Sequence, residues 1–149
     1  MIRCTPLLAV PALLLASPAV AQDQEPTVEA VQASLDRFDY AQMRVEIVVA
    51  RDDVKKTWLI SRRATGSRTL RRCVTEFATP EVLLIANTKP AKTYVLDWSD
   101  VTKVSSSDLY EMDLEHRDTA LRTKFRFNQT GLAPAFQQAS EFLRKQCTR

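Results

Sequence analysis

Two glycines, one histidine and three cysteines in 149 residues remove much familiar chemistry before any motif is sought. So little glycine excludes a Gly-rich phosphate loop and long flexible linkers. One histidine, His116, with so few cysteines cannot supply an ordinary zinc ligand set, so neither metal nor cofactor is expected. No G-x-S-x-G element frames a serine, and Ser105-Ser106-Ser107 reads as loop. Beyond residue 21 no apolar run approaches the roughly 20 residues that cross a bilayer. A formal net charge of +3 is too small for a dedicated nucleic-acid binder.

What is present begins with a leader. Arg3 is a positive start, Leu7 to Ala16 are apolar, and Ser17-Pro18-Ala19-Val20-Ala21 offers small residues at a cleavage site. Residues 1–21 are therefore predicted to be a signal peptide cut after Ala21. Residues 22–149 form one domain in the periplasm or outside the cell. Cys4 leaves with the leader. Cys73 and Cys147 remain where disulfides persist, and a bond between them is predicted. Closing so long a loop is worth about 4 kcal/mol in the chain-entropy model.

Gln22 to Glu25 read as a leader to the fold, with Pro26 suited to open a helix. Val28, Val31, Leu35 and Phe38 follow as one apolar stripe, which predicts an amphipathic helix through about Tyr40. The period then becomes two. Met43 to Val49 is a strand, Asp52-Asp53 a turn, and Lys55 to Ser61 a second strand. Ala64 to Ser67 reads as a turn, with Gly66 free to take positive φ. Thr69 to Phe77 would return as one strand, with Trp58 opposite Cys73. Val82 to Ile85, apolar on both faces, suits a well-covered strand. Asn87 to Lys92 is a loop, Thr93 to Trp98 a strand, and Ser99 to Ser107 a loop with one short strand around Val101 to Val104.

The next hairpin alternates cleanly. Tyr110, Met112 and Leu114 face Leu121, Thr123, Phe125 and Phe127 about a turn at Arg117-Asp118. That register pairs Leu114 with Leu121, Asp113 with Arg122 and Glu111 with Lys124. A helix from Pro134 to Gln146 ends the chain. Its stripe of Leu132, Phe136, Ala139, Phe142 and Leu143 carries Cys147 toward a strand.

Leu96-Asp97-Trp98-Ser99-Asp100-Val101-Thr102-Lys103-Val104, the hairpin Leu109 to Phe127 and the closing helix resemble the pleckstrin-homology and GRAM-like fold over roughly the last 60 residues. The resemblance implies an α+β fold. A strongly bent antiparallel sheet, or partly open barrel of about seven strands, carries the two helices. It implies a binding scaffold without naming a ligand. The helix at Val28 to Phe38 and the disulfide depart from that pattern.

Arg51, Lys55, Lys56, Arg62, Arg63, Arg68, Arg71 and Arg72 crowd one early segment. Phosphoinositide-binding members of the family that the chain resembles use a basic early hairpin. Arg62, Arg63, Arg68, Arg71 and Arg72 are thus the candidate anion-binding residues, toward anionic lipid or a phosphate headgroup. The bland alternative is a solvated hairpin neutralised by Asp97 to Asp118. His116 is placed on a turn beside Arg117 and Asp118, without a nucleophile, so no catalytic residue is assigned. Glu111, Asp113 and Glu115 share a face, which basic cross-strand partners explain better than calcium. The function expected is that of a non-catalytic module of a Gram-negative-type envelope, binding a protein or envelope component through its sheet. The alternatives are the anionic-headgroup binder and a small hydrolase built around His116.

Overall fold

The computed structural model describes residues 25–53, 56–86 and 91–148. The predicted signal peptide, most of the predicted leader at 22–25, the start of the predicted strand at Lys55 and most of the predicted loop at 87–92 lie outside them. In chain order the elements are α1 (Val28–Asp36), β1 (Glu46–Asp53), β2 (Lys56–Arg63), β3 (Gly66–Arg71), β4 (Val74–Ala78), β5 (Glu81–Ala86), β6 (Thr93–Asp97), a 3-10 turn (Trp98–Asp100), β7 (Val101–Ser106), β8 (Glu111–His116), β9 (Leu121–Arg126) and α2 (Leu132–Cys147). The fold is α+β. Its strands form a six-stranded sheet, β5-β2-β1-β9-β8-β7, and a three-stranded sheet, β3-β4-β6. Among the described residues there is no closed barrel, and no helix is long and apolar enough to cross a membrane.

Among the described residues the strands number nine rather than about seven, because Thr69 to Phe77 divides between β3 and β4 and Val101 to Ser106 forms a strand of its own. Trp58 pairs with Arg51 on β1, not with Cys73. Ala64-Thr65 is no hairpin turn. The Ala64 N–H donates to Val45 O and the Thr65 N–H to Ala78 O, so this segment carries the chain from one sheet into the other. Gly66 does not take positive φ. The true reversal is at Arg72-Cys73, between β3 and β4, where Cys73 itself adopts φ 67°. A side chain at positive φ is disfavoured and gives no turn signal in the sequence.

Three connections hold Cys73 there. Its N–H donates to Gln32 Oε1 at 3.0 Å. Its carbonyl accepts from the Trp98 N–H at 2.9 Å. Its sulfur lies 2.05 Å from that of Cys147, at disulfide distance, with Cα atoms 5.7 Å apart. Gln32, only 1% exposed, also donates to Arg71 O and Val74 O. One amide side chain of α1 therefore satisfies the tip of the β3–β4 hairpin. Thr27 caps the start of α1, accepting from the Ala30 N–H. Asp36, at its end, accepts from the Thr69 N–H and hydroxyl.

The core lies between the sheets and under α2. Phe136 packs its ring against those of Phe38, Tyr40, Phe125 and Phe127 at 5.2–6.1 Å. Such edge and tilted contacts add to area burial. Trp98 is fully buried and donates to Thr75 Oγ1. Gly131, at φ 84°, precedes α2, which buries Ala133, Phe136, Ser140 and Leu143, while Phe142 stays half-buried.

Two further expectations change. Val82 to Ile85 do form a strand, but β5 is the outermost one, and Leu83, Leu84 and Ile85 are 43%, 51% and 44% exposed. An unbroken apolar run reads alike on a covered strand and on an uncovered edge. The β8–β9 pairing is Leu114 with Thr123, Asp113 with Lys124, Glu115 with Arg122 and Glu111 with Arg126. This is a shift of two from the predicted register. A shift of one would exchange the faces, whereas a shift of two keeps every apolar residue inside. Alternation cannot detect it.

Two measurements check this architecture. Replacing Cys73 and Cys147 by alanine is expected to lower unfolding stability by about 2–4 kcal/mol in urea melts, since the bond spans a separation of 74 residues. An unchanged midpoint would remove the bond from the fold's support. A double-mutant cycle on Glu111 and Lys124, 2.7 Å apart, is expected to give about 0.2–1 kcal/mol of coupling. The same cycle on Asp113 and Arg122 is expected to give none, and equal couplings would restore the other register.

Candidate functional site

The five candidate arginines do not converge. Arg62 is 4% exposed and turned inward, donating to Ala91 O and Thr93 O. Burial lowers its pKa, and its Nε has no hydrogen-bond partner among the described residues. It ties the end of β2 to the start of β6. Arg63 pairs with Glu81, Arg68 with Glu76, Arg71 with Asp97 and Arg72 with Glu29. A shallow hollow of about 180 Å³ lies beside Gly66 and Arg68. The acidic trio on β8 is likewise engaged. Lys124 and Arg126 donate to Glu111, Lys124 lies 3.7 Å from Asp113, and Lys103 donates to Glu115. The hydrogen bond from Lys124, with help from Arg126, holds the Glu111 carboxyl below the usual range.

A larger concavity opens elsewhere, between the free side of β6 and the turn joining β8 to β9. It measures about 430 Å³. On one side it is lined by Tyr94, Val95, Leu96 and Asp97, four consecutive residues of β6. On the other stand Asp100, His116 to Asp118, and Leu121. This volume falls within the range of small-ligand clefts. Its lined surface is largely apolar, with Asp97, Asp100, His116, Arg117 and Asp118 among the lining residues.

A buried polar line connects two of the lining residues, Tyr94 and His116, through Thr123. Tyr94 Oη and Thr123 Oγ1 share a hydrogen bond of 2.7 Å, and Thr123 Oγ1 and His116 Nε2 share one of 2.9 Å. Burial pushes the Tyr94 phenol up to about 12, against the opposing pull of Thr123 and Arg62. His116 is not on the turn. It is the last residue of β8, 5% exposed, opposite Val101. Burial lowers its pKa and outweighs the opposite effects of Asp100 and Asp118.

This geometry does not make a hydrolytic triad. The hydroxyl on His116 belongs to Thr123, which is itself buried and shared with Tyr94. An activated nucleophile must reach its substrate. Among the described residues, no group of three or more His, Cys, Asp or Glu side chains is placed to hold a metal. No protein-family model matches the chain, and no curated protein matches it.

Sequence reasoning considered His116 but placed it wrongly, and it passed over Tyr94, Val95, Thr123 and Leu121 as site residues. A signal was available. His116 continues the inward series Met112, Leu114, and Thr123 interrupts the apolar series Leu121, Phe125, Phe127. A polar group in phase with the core marks a buried polar contact.

The His116 shift has a consequence for stability. A base held below its ordinary pKa binds its proton more tightly in the unfolded chain. Stability is therefore expected to be flat above about pH 7 and to fall as pH drops through about 6.5 toward the folded-state value. Thermal melts between about pH 7.5 and 5.5 should show this decline, and His116→Gln should flatten it. Equal slopes for both proteins would contradict the assignment.

Proposed function

We propose that this chain is a non-catalytic binding module that works outside the cytoplasm and takes an extended segment of a partner protein along β6. The observation that carries this reading is the lining of the cleft by four consecutive β6 residues. Side chains of a strand alternate between faces, so such a run meets one cavity only if the strand turns its backbone edge toward it. β6 is the last strand of its sheet, with β4 its one strand neighbour among the described residues. An incoming strand would gain main-chain hydrogen bonds there, and the cleft would receive its alternate side chains.

The leader-like first 21 residues, the cysteine pair and the small net charge support export and argue against a nucleic-acid partner. The β8–β9 hairpin followed by α2 supports the likeness to a pleckstrin-homology or GRAM-like scaffold. The division into two sheets counts against a close one. The anionic-headgroup reading is weaker, because Arg68, Arg71 and Arg72, though exposed, each already face a carboxylate that a phosphate would have to displace.

A displayed library of random short peptides, panned on the oxidised protein, tests the proposal. Enriched peptides are expected to shift the amide resonances of Tyr94 to Asp97. Their affinity is expected to fall about tenfold or more with Val95→Glu, a change of about 1.4 kcal/mol at a residue 49% exposed and so tolerated by the fold. No enrichment, shifts mapping to another surface, or affinity indifferent to Val95→Glu would each reject it.

A further inference from the structure

We infer that the side chain the cleft selects from that extended segment is a basic one, a lysine or arginine. The inference rests on the strand-addition reading and adds the chemistry of the residue recognised.

The argument starts from which charges at the cleft are already used. Asp97 accepts from the Ser99 N–H and hydroxyl through Oδ1, and its Oδ2 lies 3.6 Å from Arg71. Asp118 pairs with Arg51 at 2.8 Å and accepts from the Ala120 N–H. Arg117, the one cation lining the cleft, donates to Ser99 O. Asp100 differs. Its backbone carbonyl accepts from the Arg117 N–H, but its carboxylate has neither hydrogen bond nor ion pair among the described residues. It lines the cleft as an unspent negative charge.

Beside it stands His116, more than nine-tenths buried. Thr123 occupies its Nε2, while its Nδ1 has no partner among the described residues. Burial disfavours the charged form of the ring, against the opposing pull of Asp100 and Asp118. The cleft therefore offers an unspent carboxylate beside apolar walls made by Tyr94, Val95 and Leu121. A ligand complementary to that pattern has an aliphatic stem and a terminal group that only donates. Lysine and arginine have this form. An acidic side chain would meet the Asp100 carboxylate instead, and like charges brought together discriminate strongly between partners.

Titration of the full, oxidised protein with three matched peptides, followed by NMR, tests this. They are Ser-Thr-Val-Lys-Val-Thr-Ser and the same sequence with leucine or glutamate at the centre, all with blocked ends. The lysine peptide is expected to bind about tenfold or more tightly than either other and to shift Tyr94 to Asp97. Asp100→Asn is expected to remove that preference at unchanged thermal midpoint, and Asp100→Lys to transfer it to the glutamate peptide. Equal binding of all three at β6 would overturn the basic-residue inference and leave strand addition standing. No shift at β6 from any of them would overturn both. n-Butylamine alone matching the lysine peptide would overturn the requirement for an extended segment.

Discussion

Cys73 is the point at which separate parts of the chain are tied together, and it does so with three different atoms. Its amide is held by α1 through Gln32, its carbonyl by the start of the 3-10 turn through Trp98, and its sulfur by the end of α2. A positive φ at a residue with a Cβ costs free energy and persists only where the surroundings over-determine it. Here they do. The same corner fixes where α2 lies, and α2 supplies Phe136, whose ring meets four other aromatic rings in the core. The packing of both sheets under the final helix thus follows from a turn that no turn-forming residue announces.

Much of the fold was legible because periodicity reports faces. The stripe on α2, the alternation on β8 and β9 and the identity of most buried apolar residues follow from spacing alone. Periodicity says nothing, however, about which neighbour a strand takes. The β2-to-β3 crossing at Ala64-Thr65 looks like a hairpin turn in composition, yet its backbone bonds go to Val45 and Ala78, far apart in the chain. The β8–β9 register slipped by an even number, the one error that alternation cannot reveal. Formal charge misled in the same way. Five arginines within a few residues suggested one patch, but each guanidinium answers to its own carboxylate or carbonyl, and those partners come from α1, β4, β5, β6 and the segment just before β6. The site was the least legible part, since the cleft exists only where the two sheets separate.

That separation has its own polar lining. Arg62, Tyr94, Thr123 and His116 occupy inward positions where aliphatic residues would close the gap. Burying them without partners would cost several kcal/mol in total. The hydrogen bonds from Arg62 to Ala91 and Thr93, from Tyr94 to Thr123 and from Thr123 to His116 offset most of this cost. Such a line keeps the sheets in one relative placement, because sliding either would leave several buried groups unpaired at once. A fixed placement is what a cleft between two sheets requires if its two walls are to present matched chemistry.

Four strands end the two sheets among the described residues; β3 packs against α1 and β7 against α2, and the ladders decide between the other two, β5 and β6. β5 carries more exposed apolar surface, yet its pairing with β2 breaks at Ser61-Arg62, where Leu84 and Val82 are the partners and Leu83 has none. A bulge there bends and twists the edge, which is a recognised way to discourage strand addition. β6 has no such break. Its five residues, Thr93 to Asp97, pair in unbroken register with Ala78 to Val74, so its other side offers a regular edge from Tyr94 to Asp97, the Thr93 carbonyl being already bonded to Arg62. Apolar exposure alone would favour β5. Strand addition needs an undistorted backbone first and side-chain pockets second, and β6 provides both, with the cleft beside it.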